Sequence, residues 1–231
     1  MRTVRAHIVD QPLSVKLETL KKCQIFKGLA PAEIRELALL ASSVRYAKGA
    51  YIFIDGDPAQ FFYVAQEGLI KLHKESSSGK SVTFIIATLG DTLNASALSI
   101  EKHFLSAQAM TDATILRIPR RAYWAFVYKH PGIAIEIVGL VTTGLDTEYN
   151  RIVDLIGEEV ELRVVHSLFT LANKFGPNLM LKREELANYA GTTTETAIRV
   201  LSKLRKKGII SSAGRGAIAI SNLAKLQNYK R

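Results

Sequence analysis

The stretch 182–207 carries apolar residues at Leu186, Ala187 and Ala190, and again at Ala197, Val200, Leu201 and Leu204. This is helical spacing, broken once, at Gly191. Glycine enters the left-handed backbone region without steric penalty, so Gly191 is where one helix stops and the chain turns. The run 192–195 (Thr, two residues, Glu) reads as a capping box that starts the next helix. Two short helices joined by a tight turn make a helix-turn-helix. The spacing predicts that the second helix buries Val200, Leu201 and Leu204 and turns Thr194, Glu195, Ile198, Arg199 and Lys203 outward. An outward arginine one turn into such a helix can fork onto O6 and N7 of a guanine in the major groove. Duplex DNA is the partner this stretch predicts.

The charge is distributed to match. The 231 residues carry a formal net charge of +10. Residues 160–231 hold 13 Lys plus Arg against 4 Asp plus Glu, a balance of +9, while the first 159 residues balance at +1. The excess lies with the helix-turn-helix, as expected of a module that binds a phosphate backbone. Cys23 is the one cysteine, so the chain builds no internal disulfide, no Cys-rich zinc site and no cysteine-ligated iron–sulfur cluster. The first 12 residues lack the apolar run of a signal peptide and no stretch approaches a membrane span, which predicts a cytoplasmic chain with no membrane partner.

The rest of the chain reads as three regions: a β-barrel sensor over 1–130, a dimerisation helix and hinge over 131–157, and the winged helix-turn-helix over 158–231. Residues 13–40 have helical spacing, with Pro31 opening a second helix. Short β-rich runs follow at 51–54, 61–65, 69–73, 82–88, 107–110 and 114–119, separated by turn signals such as Asp55-Gly56-Asp57-Pro58 and Leu89-Gly90-Asp91. Strands so spaced predict a barrel or jelly roll, whose open end is a natural small-molecule pocket. A short helix is expected at 119–129, and Pro131 opens a long one. Ala134, Val138, Val141, Leu145, Glu148, Ile152 and Leu155 then recur at alternating spacings of four and three, a heptad seam broken only at Glu148. Such a seam predicts a parallel homodimer, and two readers on a two-fold axis suit a palindromic operator. After a helix at 160–174, the runs 209–212 and 217–220 read as the wing hairpin, with Arg215 at its tip placed for a phosphate.

Two passages, KGAYIFIDGDPAQFFYVAQEGLIKL (48–72) and LKREELANYAGTTTETAIRVLSKLRKKGII (181–210), together resemble the CRP/FNR family of bacterial transcription regulators. The resemblance extends from about residue 18 to the end. It implies an α+β architecture: an N-terminal jelly roll of the cyclic-nucleotide-binding type, a long dimerisation helix and a C-terminal winged helix-turn-helix. It also implies base readers at Thr194, Glu195 and Arg199, with Ile198 between them, and phosphate contacts from Lys182, Lys203, Lys206 and Arg215. Thr194 replaces the long basic residue of cyclic-AMP-type members, which points to a half-site nearer the TTGA class. RNA polymerase is a further partner the resemblance implies.

The pocket departs from the family pattern. Cyclic-nucleotide binders of this fold hold the ribose with a Glu after the Gly-Asp turn and the phosphate with an Arg before a Ser-Ala pair. Here the turn runs Gly90-Asp91-Thr92-Leu93-Asn94-Ala95, with Ala95 at the Glu position, and Leu105 precedes Ser106-Ala107. A phosphate buried without a cationic partner is costly, so the effector is expected not to be cyclic AMP and its identity stays open. A haem that senses NO or CO is the alternative known in the family. His103, beside the altered cassette, is the candidate axial ligand ahead of His73, His166, His130 and His7, and its plain reading is a surface loop histidine. Cys23, beside Lys21 and Lys22, is either a redox switch or an ordinary helix residue. The sequence lacks a Gly-x-Ser-x-Gly elbow, a phosphate loop and metal-ligand spacing, which argues against an enzyme. The competing class is a winged-helix module that contacts protein and not DNA.

Overall fold

The computed structural model describes residues 6–95, 99–212 and 217–229. It divides into two compact units, Met1–Glu75 with Phe84–Asp146, and Ser76–Thr83 with Thr147–Arg231.

The first unit is a jelly roll covered by helices. Its strands are β1 (Ala6–Val9), β2 (Ser42–Tyr46), β3 (Tyr51–Phe53), β4 (Phe61–Glu67), β5 (Ile70–Glu75), β6 (Ser81–Ala87, whose first residues, through Thr83, are counted with the second unit), β7 (Ser106–Ala109) and β8 (Ala113–Pro119). They form two four-stranded sheets in the orders β1-β2-β8-β4 and β3-β7-β5-β6. The pairings β1–β2, β2–β8, β4–β8, β3–β7 and β5–β7 are antiparallel. The six β-rich runs of the sequence are all strands. Strands β1 and β2 are additional, and β1 is short and half-exposed, so it lacks an apolar signature.

β4 and β8 are buried on both faces. Phe62, Val64, Leu116 and Ile118 join a cluster with Leu20, Phe26, Ile34 and Tyr123, while Tyr63, Ala65, Ala113 and Ile115 point into the other cluster, between the sheets. Because both faces need apolar residues, these strands read as continuous apolar runs and not as alternating ones. The outer cluster is roofed by α1 (Leu13–Lys22), a 3₁₀ turn (Gln24–Phe26), α2 (Pro31–Leu39) and α3 (Arg120–Lys129). Phe62 stacks on Tyr123 with centroids 3.9 Å apart, and Phe26 meets both rings edge-on. Cys23 lies in this cluster. Burial pushes its thiol up to about 12, so it stays protonated and unreactive, an ordinary structural residue.

α4 (Gly132–Gly157) is one continuous helix of 26 residues. Its first turns bury Ile133 and Ile137 against the outer cluster. The seam residues Val138, Val141, Leu145, Ile152 and Leu155 are 47–65% exposed. Among the described residues, this stripe stays about half-exposed along the helix.

The second unit contains α5 (Val160–Phe175), α6 (Arg183–Ala190), α7 (Thr194–Lys206), α8 (Leu223–Gln227), and the strands β9 (Asn178–Leu179), β10 (Ile210–Ser212) and β11 (Ile218–Ile220) in the order β10-β11-β9. Gly157 ends α4 as expected, and Gly176, at φ +83°, ends α5.

Two glycines in reversals of the chain give a paired test. Gly68 has φ +87°, and a Cβ there would lie 2.4 Å from the Asp112 carbonyl oxygen. Gly79 has φ +77° with open space around it. Both alanine variants carry left-handed strain of about 1–2 kcal/mol, and only Gly68→Ala must also displace backbone. Urea unfolding should place G68A clearly below G79A. Equal midpoints would contradict the packing.

Candidate nucleic-acid interface and effector pocket

The helix-turn-helix is built on α5, which packs against both α6 and α7. Val164, Val165, Leu168 and Leu171 of α5 are buried, as are Leu186, Ala187 and Ala190 of α6 and Ala197, Val200, Leu201 and Leu204 of α7. Gly191 takes the left-handed conformation at φ 63°, ψ 43°, and both its N–H and that of Thr192 donate to the Ala187 carbonyl. Both bonds fall on one carbonyl of the last turn and close the helix end.

α7 begins one residue later than a capping box at 192–195 would have it. The N-cap is Thr193, whose Oγ1 accepts from the Thr196 N–H at 3.3 Å. Glu195 thus sits in the first turn and does not close a box. Its carboxylate is exposed, and its own backbone N–H, then the Thr193 hydroxyl, hold it below the usual carboxylate range. A negative group in a helix's first turn complements the macrodipole.

The outward face of α7 carries Glu195, Ile198, Arg199 and Lys203, all exposed, with Thr194 half-buried. The Arg199 guanidinium donates from Nη2 to Thr196 Oγ1 at 3.1 Å, which directs it along the N-terminal turn. Thr196 is a contact the sequence reading did not single out; its signal is the i,i+3 spacing to both Thr193 and Arg199. Lys203 is engaged within the chain: its Nζ lies 2.5 Å from Glu161 Oε2 on α5. Glu161 also accepts from the Tyr229 hydroxyl, which in turn accepts from Lys207 at 2.9 Å. Lys182 is exposed at the start of α6, where its N–H donates to the Glu185 carboxylate at 2.7 Å. Lys206 is exposed. Arg215 lies outside the described residues.

In the jelly roll, the cassette residues do not all face one space. Leu93 is buried in the cluster between the sheets, and Leu105 packs against the same cluster. Ala95 packs instead on the outer cluster, beneath the helices. Asn94 is a clamp: its Oδ1 accepts from the Tyr63 N–H at 3.0 Å and its Nδ2 donates to the Phe61 carbonyl at 2.9 Å. Ser106 accepts from the Asp55 N–H at 3.0 Å, and Ala107 is fully buried. Leu105 therefore puts a hydrocarbon, not a cation, against the interior.

His103 is not on the surface. It is 3% exposed and stacks on Phe53 with centroids 3.7 Å apart and planes 9° from parallel. Its backbone bridges to Asp57 and Gly56, and its Nε2 is buried with no hydrogen-bond partner among the described residues. The plain surface reading of this residue fails because the aromatic stack outweighs the polarity of one ring nitrogen. Burial pushes its pKa down, with the Asp57 charge opposing, so the ring is neutral. His73 is also buried and shifted down by burial. His130 and His166 are engaged with Glu33 and Asp154, at 3.0 and 2.9 Å, and His7 is exposed.

Residues 162–229 match the Crp-like helix-turn-helix domain and residues 43–130 the cyclic nucleotide-binding domain. The cyclic AMP receptor protein of Thermus thermophilus is 31% identical over 212 residues, which is 90% of this chain and 97% of that protein. An anaerobic regulatory protein of Bacillus subtilis is 27% identical over 194 residues, 80% of this chain and 82% of that one. Among solved structures, FixK2 of Bradyrhizobium japonicum shares the fold, with a TM-score of 0.74 at 23% identity over 81% of this chain and 96% of that chain. A jelly roll followed by a winged helix-turn-helix defines a DNA-binding transcription regulator, not an enzyme. The chain belongs to the CRP/FNR family of such regulators.

His103 makes stability depend on pH. Its folded pKa lies below the unfolded value of about 6.5, so its contribution is complete above that value. It is lost as pH falls and the unfolded chain takes up a proton the folded chain refuses. His73 acts in the same direction. The urea midpoint should drop between pH 7.5 and 5, and His103→Phe, which keeps the stack, should flatten part of that drop. An unchanged slope in H103F would contradict the burial.

Proposed function

We propose that the chain acts as a homodimer that reads a palindromic operator, with Thr194, Glu195, Ile198 and Arg199 facing base edges. The observation that carries this reading is the exposed Arg199 guanidinium, steadied by Thr196 on a helix whose opposite face is fully buried. Glu195, ionised and exposed, suits a cytosine amino group, and Arg199 suits guanine. The half-exposed apolar stripe on α4 supports pairing through Val138, Val141, Leu145, Ile152 and Leu155. Lys182 and Lys206 are exposed and meet phosphates in this reading. Lys203 must first leave Glu161, so its contribution is smaller. The division into 1–130, 131–157 and 158–231 follows from these roles.

The effector is proposed to be a small molecule in the jelly roll other than a cyclic nucleotide, although relatives bear names that refer to cyclic AMP. Leu105 and Ala95 offer neither the cation nor the carboxylate that a cyclic nucleotide's phosphate and ribose require, and Ala95 packs away from the interior. A second reading is carried by His103. A buried, neutral imidazole with an unpartnered Nε2 is the form that ligates haem iron, and a bound haem would supply the gas-binding centre.

Arg199→Ala should lower affinity for an operator selected from random DNA by about 10- to 100-fold, the loss of one bidentate base contact, and relax the preference at one position per half-site. Lys182→Ala should weaken binding to all sequences and reduce the salt slope by about 1. Fluorescence anisotropy across salt concentrations measures both. Unaltered site preference in R199A would refute the assignment of the reader. Calorimetric titration with cyclic AMP should show no binding at micromolar concentrations. Haem reconstitution decides the second reading by the presence or absence of a Soret band that shifts in His103→Ala.

A further inference from the structure

Within the second unit, one guanidinium joins three separated segments. Arg151 of α4 places Nη1 2.9 Å from both carboxylate oxygens of Glu148. Its Nη2 donates to the Thr83 carbonyl at 2.9 Å and to the Tyr189 carbonyl at 2.7 Å. Its Cζ lies 4.5 Å from the centre of the Tyr189 ring. The side chain is 19% exposed. Glu148, the residue that breaks the apolar seam, is thereby accounted for as the counter-charge of this arginine.

The position of the contact matters. Tyr189 is in the last turn of α6, where carbonyls lack helical partners and the macrodipole is negative, so a cation there caps the helix. Arg163 of α5 reaches the next exposed carbonyl, that of Gly191, at 3.3 Å. Four residues beyond Arg151, on the same face of α4, Leu155 lies so near Gly191 that a Cβ there would be 2.7 Å from Leu155 Cδ2. The end of α4 therefore grips the turn from which α7 departs, by a charged cap at residue 189 and an apolar contact at residue 191.

We infer that Arg151 is a positioning residue for DNA reading: with Leu155 it fixes the α6–α7 turn on the end of α4, and so sets the direction in which α7 presents its bases-facing side. This rests on the reading of the chain as a dimer that binds a palindrome. The seam joins α4 to α4 of the second copy, and a rigid grip on the turn carries that symmetry to the two reading helices. A lysine keeps the charge at this place but cannot span two carbonyls and a carboxylate at once.

The test uses the full chain and an operator selected with it, together with versions in which the half-site spacing is lengthened or shortened by one and two base pairs. The wild type should bind one spacing best. Arg151→Met and Arg151→Lys should lose at least tenfold in affinity for that spacing, flatten the spacing preference, and leave binding to random-sequence DNA within twofold. Glu148→Gln, which is gentler on folding, should move the same preference in the same direction. An arginine that only stabilises the fold would lower the urea midpoint with the spacing preference intact, and that result overturns the inference. Failure of the underlying reading is distinct: the wild type itself would then select no operator.

Discussion

The reader depends on one residue holding a backbone conformation that other side chains resist. Gly191 sits at φ 63°, ψ 43°, between a helix that ends at Ala190 and one that begins at Thr194. That turn determines the angle between α6 and α7. The angle in turn lets Leu186 and Ala187 share a core with Ala197, Val200 and Leu201 while Arg199 stays exposed. The contacts around the turn converge on it: the Ala187 carbonyl takes two N–H donors, and Arg151 and Arg163 take the carbonyls of residues 189 and 191.

The jelly roll solves a different problem, which is to hold an inter-sheet core and a helical layer on one sheet. Alternate residues of β4 and β8 serve the two faces. The cassette at 90–95 is tied to this sheet by Asn94, which uses both ends of its amide on the β4 backbone. Gly90 presses so close to the Lys22 carbonyl that a side chain there would collide with it. Among the described residues, the cluster between the sheets is mainly aromatic and aliphatic, with Phe53 of that cluster stacked on His103.

What was legible in the sequence was what periodicity encodes. The stop at Gly191, the buried face of α7, the end of α4 at Gly157 and six of the strands follow from apolar spacing and turn residues, because packing demands those patterns. β1 and α8 were not legible: each is short, and each forms because a neighbour offers it a surface. Polar partnerships were mostly hidden. Nothing local to Lys203 says that Glu161, 42 positions away, will hold it, and nothing local to His103 says that Phe53 will cover it. The cap came out one residue off because two adjacent threonines compete for it, and the one whose hydroxyl reached the third N–H won. Glu148 was legible only as an interruption; the arginine three residues on was the clue to its purpose.

The segregation of residues along β4 and β8 bears on how such a chain can change over time. Tyr63, Ala65 and Ile115 line the interior, whereas Phe62, Val64 and Leu116 anchor the helices. Because the two sets alternate on the same strands, a lineage can redraw the character of the inter-sheet space at odd positions of β4 without loosening the scaffold held at the even ones. Novelty and inheritance are interleaved residue by residue.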